Sequence, residues 1–153
     1  MENGFQKGLK SFAVFIDMTA AAAYDTVWVD KLLYKFSETI KFKKMTTLIR
    51  NMLSNRFFRV HLKNDQSRWR KLSNGLVQGS VLSPILFNLY TKNELQLKSL
   101  RFMFADDWTI IIQCKTFEES QRILEDDLKI IDEYFKSARL VFNSSKTEVC
   151  ASI

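Results

Sequence analysis

Two adjacent aspartates, Asp106 and Asp107, stand between two short apolar runs, and this placement of charge limits the folds open to the chain. The runs at 102–105 and 108–112 are rich in aromatic and β-branched residues, which predicts two strands joined by a tight turn. Neighbouring side chains of a strand point to opposite faces, so one site receives both carboxylates only if the backbone bends. A divalent cation such as Mg²⁺ would relieve their repulsion. The alternative is a solvated β-turn, where Asp is common.

Composition indicates one packed domain with a preference for polyanions. The chain has 153 residues, of which 46% are hydrophobic, and only 4 Gly and 1 Pro, so we expect a single unit over residues 1–153 without linkers. Its 23 Lys and Arg exceed its 17 Asp and Glu, for a net charge of +6. That excess favours contact with nucleic acid or an acidic membrane surface.

Cysteine usage and hydropathy predict an intracellular protein, either cytoplasmic or nuclear and not secreted. Cys114 and Cys150 lie in predicted strands without metal-ligand spacing, which indicates reduced core thiols. No apolar run approaches the roughly 18 residues of a membrane span, and the N-terminus lacks the pattern of a signal peptide. We therefore expect no membrane partner.

Two further strand-like segments lie far apart in the sequence. Residues 12–16 form an apolar run that ends at Asp17, which is typical of a buried strand with a carboxylate at its C-terminal end. The last segment, from Leu140, reads as a turn followed by a terminal strand. Active-site acids often lie at the C-terminal end of a buried strand, which is the position predicted for Asp17.

Helical periodicity predicts three helical regions. From about Asp30 the apolar spacing indicates two helices or one bent helix. Residues 80–98 predict a helix with Pro84 in its first turn, and Thr116 is expected to cap a helix that runs to about Ala138. The inward positions of the 80–98 helix are predicted to be Leu82, Ile85, Leu86, Leu89 and Tyr90. The second acidic pair, Asp126 and Asp127, is expected to be surface charge because neighbours in a helix point in different directions.

A basic hairpin is predicted at residues 56–72. Its cations are Arg56, Arg59, Lys63, Arg68, Arg70 and Lys71, with Phe57, Phe58 and Trp69 interleaved. This composition suits a phosphate backbone and stacked bases. The alternative is an edge hairpin protected from aggregation by its charge.

The order of elements predicts the fold class. Strand, helices, hairpin, helix, β-hairpin, helix and strand follow one another, which indicates an α+β fold. We expect a mainly antiparallel sheet with helices packed on one face, and a ferredoxin-like core as its topology.

Four stretches resemble, in order, the motifs of reverse transcriptases from jockey-like non-LTR (LINE) retrotransposons. AVFID at 13–17 with AYDTVW at 23–28 resembles motif A, GLVQGSVLSPILFNLY at 75–90 resembles motif B, FADD at 104–107 resembles motif C, and LVFNSSKT at 140–147 resembles motif D. Together they extend over essentially the whole chain. The resemblance implies the palm subdomain of an RNA-directed DNA polymerase.

The resemblance also implies a two-metal mechanism of nucleotidyl transfer. Asp17 and Asp106 would be the main ligands of two Mg²⁺ ions, or of Mn²⁺ in their place, and Asp107 would support them. Lys146 would protonate the leaving pyrophosphate. The partners implied are an RNA template, a DNA primer and deoxynucleoside triphosphates.

Three residues are implied in nucleotide binding. Tyr24 resembles the aromatic gate that excludes a ribose 2′-hydroxyl, and Gln78 with Gly79 would contact the incoming nucleotide and the template base. The alanine run at 20–23 adds two residues to the family pattern, which must bulge the chain or rotate the following helix by about 200°. Ala22 would then face the sugar in place of Tyr24. Val77 stands where the family has Pro.

Two hypotheses follow for function. The first is the palm of a polymerase, with the absent fingers and thumb supplied by a longer product. The second is a truncated retrotransposon remnant that is catalytically inactive and binds nucleic acid weakly or not at all. An unrelated ferredoxin-like RNA-binding module would need stacking aromatics on the sheet face and has no use for Asp17 beside Asp106.

Overall fold

The protein was analysed as a computed structural model that describes residues 8–18, 23–104 and 106–152. The chain divides into two compact units, Tyr24–Lys92 and a second unit made of Met1–Ala23 with Asn93–Ile153. Residues 20–22 of the alanine run lie outside the described residues, so the predicted displacement of Tyr24 stays a prediction. The assignment of residues 1–153 to one palm subdomain also stays a prediction.

The described residues form eight strands and four helices. In chain order they are β1 (Lys10–Asp17), α1 (Val29–Ile40), α2 (Lys43–Leu53), β2 (Arg56–Phe58), β3 (His61–Leu62), β4 (Asp65–Gln66), β5 (Arg70–Leu72), α3 (Ser83–Thr91), β6 (Leu100–Phe104), β7 (Asp107–Cys114), α4 (Phe117–Ser137) and β8 (Glu148–Ser152). Among them, no helix combines the length and apolar character needed to cross a membrane.

The discontinuous unit is built on a four-stranded antiparallel sheet of order β6-β7-β1-β8. This is the strand order of a ferredoxin-like fold, with β1 and β7 in the centre. Helix α4 packs against β7, where the ring of Trp108 meets that of Phe135 edge to face at 4.9 Å. Side chains of β7 alternate between this buried face and a more open one, as strand geometry requires. The predicted α+β class and ferredoxin-like sheet are confirmed.

The acidic segment forms the predicted hairpin, but Asp107 is the first residue of β7 and does not lie in the turn as expected. Strand β6 ends at Phe104, β7 begins at Asp107, and these two residues are register partners with Asp106 in the turn between them. Thr116 caps α4 as expected, because its side-chain oxygen accepts a hydrogen bond from the backbone N–H of Glu119 at 3.2 Å.

The contiguous unit contains the two predicted helices and the basic hairpin. Helix α1 ends at Ile40, and the residue that caps it, Lys41, has a positive φ of 51° before α2 begins at Lys43. The hairpin has two short ladders, β2 with β5 and β3 with β4. Its strands are only two or three residues long, and most of its side chains are exposed.

The helix predicted at 80–98 is shorter than expected, because α3 covers only Ser83–Thr91. Beyond it, the Asn93 side chain accepts a hydrogen bond from the backbone N–H of Leu95, a local bond that competes with helix continuation. The predicted inward face was also partly wrong. Leu82 and Ile85 are exposed, at 39% and 63%, whereas Phe87 is fully buried.

Asp127 is buried, contrary to the prediction of surface charge. Its carboxylate accepts hydrogen bonds from the backbone N–H groups of Lys98 and Ser99, at 3.1 and 2.8 Å, and from the Ser99 hydroxyl at 2.5 Å. Asp126 is exposed as predicted and lies 3.5 Å from the Lys98 ammonium. The two neighbours do point in different directions, and this turns Asp127 toward the start of β6.

The two cysteines differ in their environment. Both thiols are free, and Cys114 is buried in β7, where burial, followed by the charge of Glu119, raises the pKa of its thiol. Cys150 is exposed on β8, so the prediction of a core thiol was wrong for this residue. Its strand lies at the edge of the sheet, where one side lacks a neighbouring strand among the described residues.

We expect Asp127→Ala to lower the free energy of unfolding by about 2–4 kcal/mol, because three hydrogen-bond donors lose a charged acceptor in a buried setting. Asp126→Ala is the matched control, since an exposed ion pair contributes at most about 1 kcal/mol. Urea denaturation of both variants gives the comparison. Equal losses would contradict the assignment of Asp127 as a buried anchor.

Candidate active site and nucleotide-binding loops

Two of the predicted metal ligands lie side by side at the end of the central strands. Asp17 is the last residue of β1, Asp107 is the first of β7, and the two are register partners in the antiparallel ladder. Register partners project from the same face of a sheet, with Cβ atoms about 4.5–5.5 Å apart. The structure therefore brings the carboxylates of Asp17 and Asp107 to one face.

Asp106 is placed next to this pair by its backbone. Its carbonyl oxygen accepts a hydrogen bond from the backbone N–H of Met18 at 3.4 Å, which joins the acidic turn to the end of β1. The residue is half-buried. Within residues 8–18, 23–104 and 106–152, no three Asp, Glu, His or Cys side chains come close enough to hold a metal ion together.

Asp17 has two polar neighbours from the segment that precedes β8. Asn143 donates a hydrogen bond from its side-chain nitrogen to Oδ2 of Asp17 at 3.1 Å, and the Lys146 ammonium lies 3.9 Å from the same oxygen. The Asp17 side chain is 20% exposed, whereas that of Lys146 is 66% exposed. Lys146 thus supplies a solvent-exposed positive charge beside a carboxylate that is largely enclosed.

An open cavity of about 600 Å³ contains Asp17, Asp107 and Lys146. It is lined by Phe15, Ile16, Asp17, Asp107, Trp108, Thr109, Ser145, Lys146 and Glu148. A volume of this size suits a small ligand. Its carboxylates offer only oxygen ligands, which is the donor chemistry that Mg²⁺ prefers, so Asp17 and Asp107 fit a divalent ion.

The predicted nucleotide-binding residues lie in the contiguous unit, where two loops are tied together. The backbone N–H of Gly75 donates to the carbonyl of Val27, and that of Leu76 donates to the carbonyl of Tyr24, both at 2.8 Å. Gly75 has a φ of 84°, and a Cβ built on it would lie 2.8 Å from the carbonyl oxygen of Asp25. Only glycine fits this crossing.

The same crossing places Gln78 against Asp25. The Gln78 side-chain nitrogen donates to both carboxylate oxygens of Asp25, at 3.2 and 3.3 Å. The Tyr24 ring stacks on Phe87 with a centroid distance of 4.7 Å, and Gly79 follows with a φ of 81°. Asp25 was missed by the sequence analysis. Its position directly after Tyr24, the predicted gate residue, was the available signal.

The basic hairpin presents most of its predicted cations to solvent. Lys63, Arg68, Arg70 and Lys71 are exposed, and the Arg59 guanidinium lies 4.8 Å from the centre of the Trp69 ring. Arg56 differs, because its guanidinium donates to the carbonyl oxygens of Leu53, Asn74 and Gly75. Burial lowers its pKa. Arg56 therefore stabilises the hairpin base, and its predicted role as a nucleic-acid contact stays a prediction.

The sheet order and the paired carboxylates at the ends of its central strands define a polymerase-palm-like fold. The sequence profile of the family described as "Reverse transcriptase (RNA-dependent DNA polymerase)" matches residues 3–152. The chain therefore belongs to the reverse transcriptase family. The resemblance predicted from the four motifs is confirmed.

The relatives with curated names are also RNA-directed DNA polymerases. They indicate, within the reverse transcriptase family, the group from non-LTR retrotransposons. The chain is 31% identical over 144 residues to a probable RNA-directed DNA polymerase from transposon BS of Drosophila melanogaster. It is 23% identical over 153 residues to the RNA-directed DNA polymerase from mobile element jockey of the same species. These alignments cover 88% and 94% of this chain but only 16% of either relative. The chain thus spans about a sixth of the length of the relatives that it matches.

A solved structure supports the fold. The apo telomerase of Candida tropicalis, truncated from its C-terminal domain, superimposes with a TM-score of 0.66 at 15% sequence identity. The match covers 99% of this chain and 33% of the telomerase chain. At this identity the likeness extends to the fold alone.

We expect Gly75→Ala to destabilise the contiguous unit more than Gly79→Ala. Both glycines have φ above 80°, so each substitution carries a strain of about 1–3 kcal/mol. Only Gly75 adds a clash with the Asp25 backbone, since nothing lies within 4 Å of a Cβ at Gly79. Thermal or urea unfolding measures the difference. Equal stability of the two variants would argue against the close crossing of the loops.

Proposed function

We propose that this chain supplies the catalytic palm of an RNA-directed DNA polymerase, which extends a DNA primer on an RNA template with deoxynucleoside triphosphates. The observation that carries the proposal is the register pairing of Asp17 with Asp107 at the ends of β1 and β7. It gives two carboxylates from distant motifs a common face and a common cavity. The family match supplies the reaction class.

Divalent metal ions are used by reverse transcriptases as a family. In this chain, Asp17, Asp106 and Asp107 would hold two Mg²⁺ ions, or Mn²⁺ in their place. When bound, such ions lower the pKa of an attacking hydroxyl and stabilise the charge that develops on the transferred phosphoryl group. The carboxylates of the chain orient the ions, and their negative charge excludes anions until cations are present.

Lys146 is proposed as the proton donor to the leaving pyrophosphate. Its ammonium lies near Asp17 at 3.9 Å and is largely exposed, so it can turn from the carboxylate toward an anionic ligand in the same cavity. An ammonium carries three donor hydrogens, which suits contact with phosphate oxygens. Its charge also offsets part of the acidic cluster.

Tyr24, Gln78 and Gly79 are proposed to bind the incoming nucleotide. Asp25 fixes the orientation of the Gln78 amide, because a carboxylate only accepts hydrogen bonds and must therefore face the amide nitrogen. The carbonyl oxygen of Gln78 then faces away from Asp25, as an acceptor for a hydroxyl group. The Tyr24 ring stacks on Phe87, and this contact limits its movement. A ring held in this way suits the proposed role of Tyr24 as the gate that contacts the sugar of the nucleotide.

The hairpin is proposed to contact the nucleic-acid backbone through Arg59, Lys63, Arg68, Arg70 and Lys71. Three aromatic rings on the same element are exposed, with values of 56% for Phe57, 42% for Phe58 and 63% for Trp69. Exposed rings among cations suit stacked bases next to phosphates. The two features together favour a single-stranded segment.

A second candidate function is nucleic-acid binding without polymerisation, as expected of a catalytically inactive retrotransposon remnant. One observation favours it: in the described part of the chain, no three acidic side chains are gathered as a metal site. The hairpin would then be the functional element. Primer extension separates the two candidates.

We expect Asp107→Asn to reduce primer extension on a poly(rA) template with Mg²⁺ by about 100-fold or more, because a lost ligand removes several kcal/mol of charge stabilisation. Asp126→Asn removes an exposed carboxylate on α4 and is the matched control. Equal extension by Asp107→Asn and the unsubstituted chain would refute the catalytic role. Extension by the unsubstituted chain that is lost in Asp107→Asn and kept in Asp126→Asn would exclude the second candidate.

We expect the triple substitution Lys63→Ala, Arg68→Ala and Arg70→Ala to weaken binding of single-stranded RNA. Each lost phosphate contact should reduce the slope of log K against log salt by about 0.7. The control removes three exposed cations elsewhere, Lys115, Lys129 and Lys136. Fluorescence anisotropy at several salt concentrations gives the slopes. Similar slopes for the two triple variants would show that binding depends on net charge and not on the hairpin.

A further inference from the structure

Asn143 makes two hydrogen bonds to Asp17, one from its backbone and one from its side chain. The backbone N–H donates to the Asp17 carbonyl at 2.9 Å, and the side-chain nitrogen donates to Oδ2 at 3.1 Å. We propose that Asn143 is a positioning residue that orients the Asp17 carboxylate so that Oδ1 is the atom left to bind a divalent cation. This inference rests on the proposed function and names a determinant of the same site.

The orientation of the Asn143 amide follows from its two partners. A carboxylate only accepts hydrogen bonds, so the atom that faces Asp17 must be the amide nitrogen. The amide oxygen in turn accepts a hydrogen bond from the Ser145 hydroxyl at 2.7 Å. Both ends of the amide are therefore engaged, and its plane is fixed relative to Asp17.

The backbone around Asn143 makes this arrangement rigid. Met18 and Phe142 form an isolated antiparallel bridge, which holds the segment against the end of β1. The Asn143 carbonyl accepts from the backbone N–H of Lys146 at 3.1 Å and from the Thr147 hydroxyl at 3.0 Å. A tight turn therefore begins at Asn143. The residue that holds the carboxylate also starts the turn that carries Lys146.

The two oxygens of the Asp17 carboxylate have different surroundings. Oδ2 accepts from Asn143 and has the Lys146 ammonium at 3.9 Å. Oδ1 receives no hydrogen bond from the described residues, although the side chain as a whole is only 20% exposed. A free oxygen on an otherwise anchored carboxylate is a preorganised ligand atom. Outer partners that orient a ligating carboxylate typically change metal affinity by about 10–100-fold when they are lost.

Mn²⁺ binding, measured by the loss of the free-ion EPR signal, tests the role of Asn143 without requiring polymerisation. We expect Asn143→Ala in the 153-residue chain to weaken Mn²⁺ binding by about 10–100-fold. Asn51→Ala makes the same chemical change at an exposed position of α2 and should leave the affinity unchanged. Circular dichroism melting of each variant reports on folding separately from metal affinity.

A double-mutant cycle with Asp17→Asn distinguishes positioning from a general structural role. If Asn143 acts through Asp17, then Asn143→Ala should cause no further loss of affinity in the Asp17→Asn background. If Asn143→Ala lowers the Mn²⁺ affinity equally in the unsubstituted chain and in the Asp17→Asn chain, the inference is overturned. If the Asn143→Ala variant does not fold, Asn143→Ser takes its place in the same measurements of Mn²⁺ affinity. It keeps the backbone N–H and a hydroxyl for the turn, but its side chain is too short to reach Oδ2.

Failure of the inference and failure of the proposed function give different results. If Asp17→Asn weakens Mn²⁺ binding while Asn143→Ala and Asn143→Ser do not, only the positioning role is overturned. If the unsubstituted chain does not bind Mn²⁺, or Asp17→Asn binds equally well, the metal site itself is overturned. A loss in both Asp17→Asn and Asn143→Ala, absent in Asn51→Ala, supports the role of Asn143.

Discussion

The antiparallel ladder between β1 and β7 is the interaction on which the rest of the discontinuous unit depends. All eight residues of β1 have partners in β7, from Lys10 with Cys114 to Asp17 with Asp107. A slip of one residue would exchange the two faces of the strand. It would turn Asp107 toward α4 and turn the Trp108 ring away from Phe135. The same register therefore fixes the packed core and the acidic site together.

Local patterns predicted the elements of this ladder, because strand composition and turn residues act over a few positions. The run that ends at Asp17, the acidic turn and the Thr116 cap all depend on neighbours within about one turn. The errors concern longer distances. Asp127 is buried against Lys98 and Ser99, which donate hydrogen bonds to it. These two partners lie 29 and 28 residues away in the sequence. Periodicity within a helix carries no information about such partners.

The candidate site shows the same limit more strongly. The motifs predicted Asp17, Asp106, Asp107 and Lys146, but not how the aspartates are oriented. Asn143 lies 126 residues from Asp17, and Gln78 lies 53 residues from Asp25. Arg56 reads as an exposed cation in the sequence, yet it donates to carbonyls 18 and 19 residues away. Residue type indicates what a side chain can bind, whereas the fold decides which partner lies within hydrogen-bond distance of it.

The order of the strands has a consequence for synthesis of the chain on the ribosome. Strand β1 is made early, but both of its partners, β7 and β8, belong to the last third of the sequence. The contiguous unit, Tyr24–Lys92, has its own contacts available much sooner. A premature stop after residue 142 would retain all three aspartates, yet it would remove Asn143, Lys146 and β8. Such a polypeptide would contain the acidic motifs but would lack the edge strand and the residues that hold Asp17.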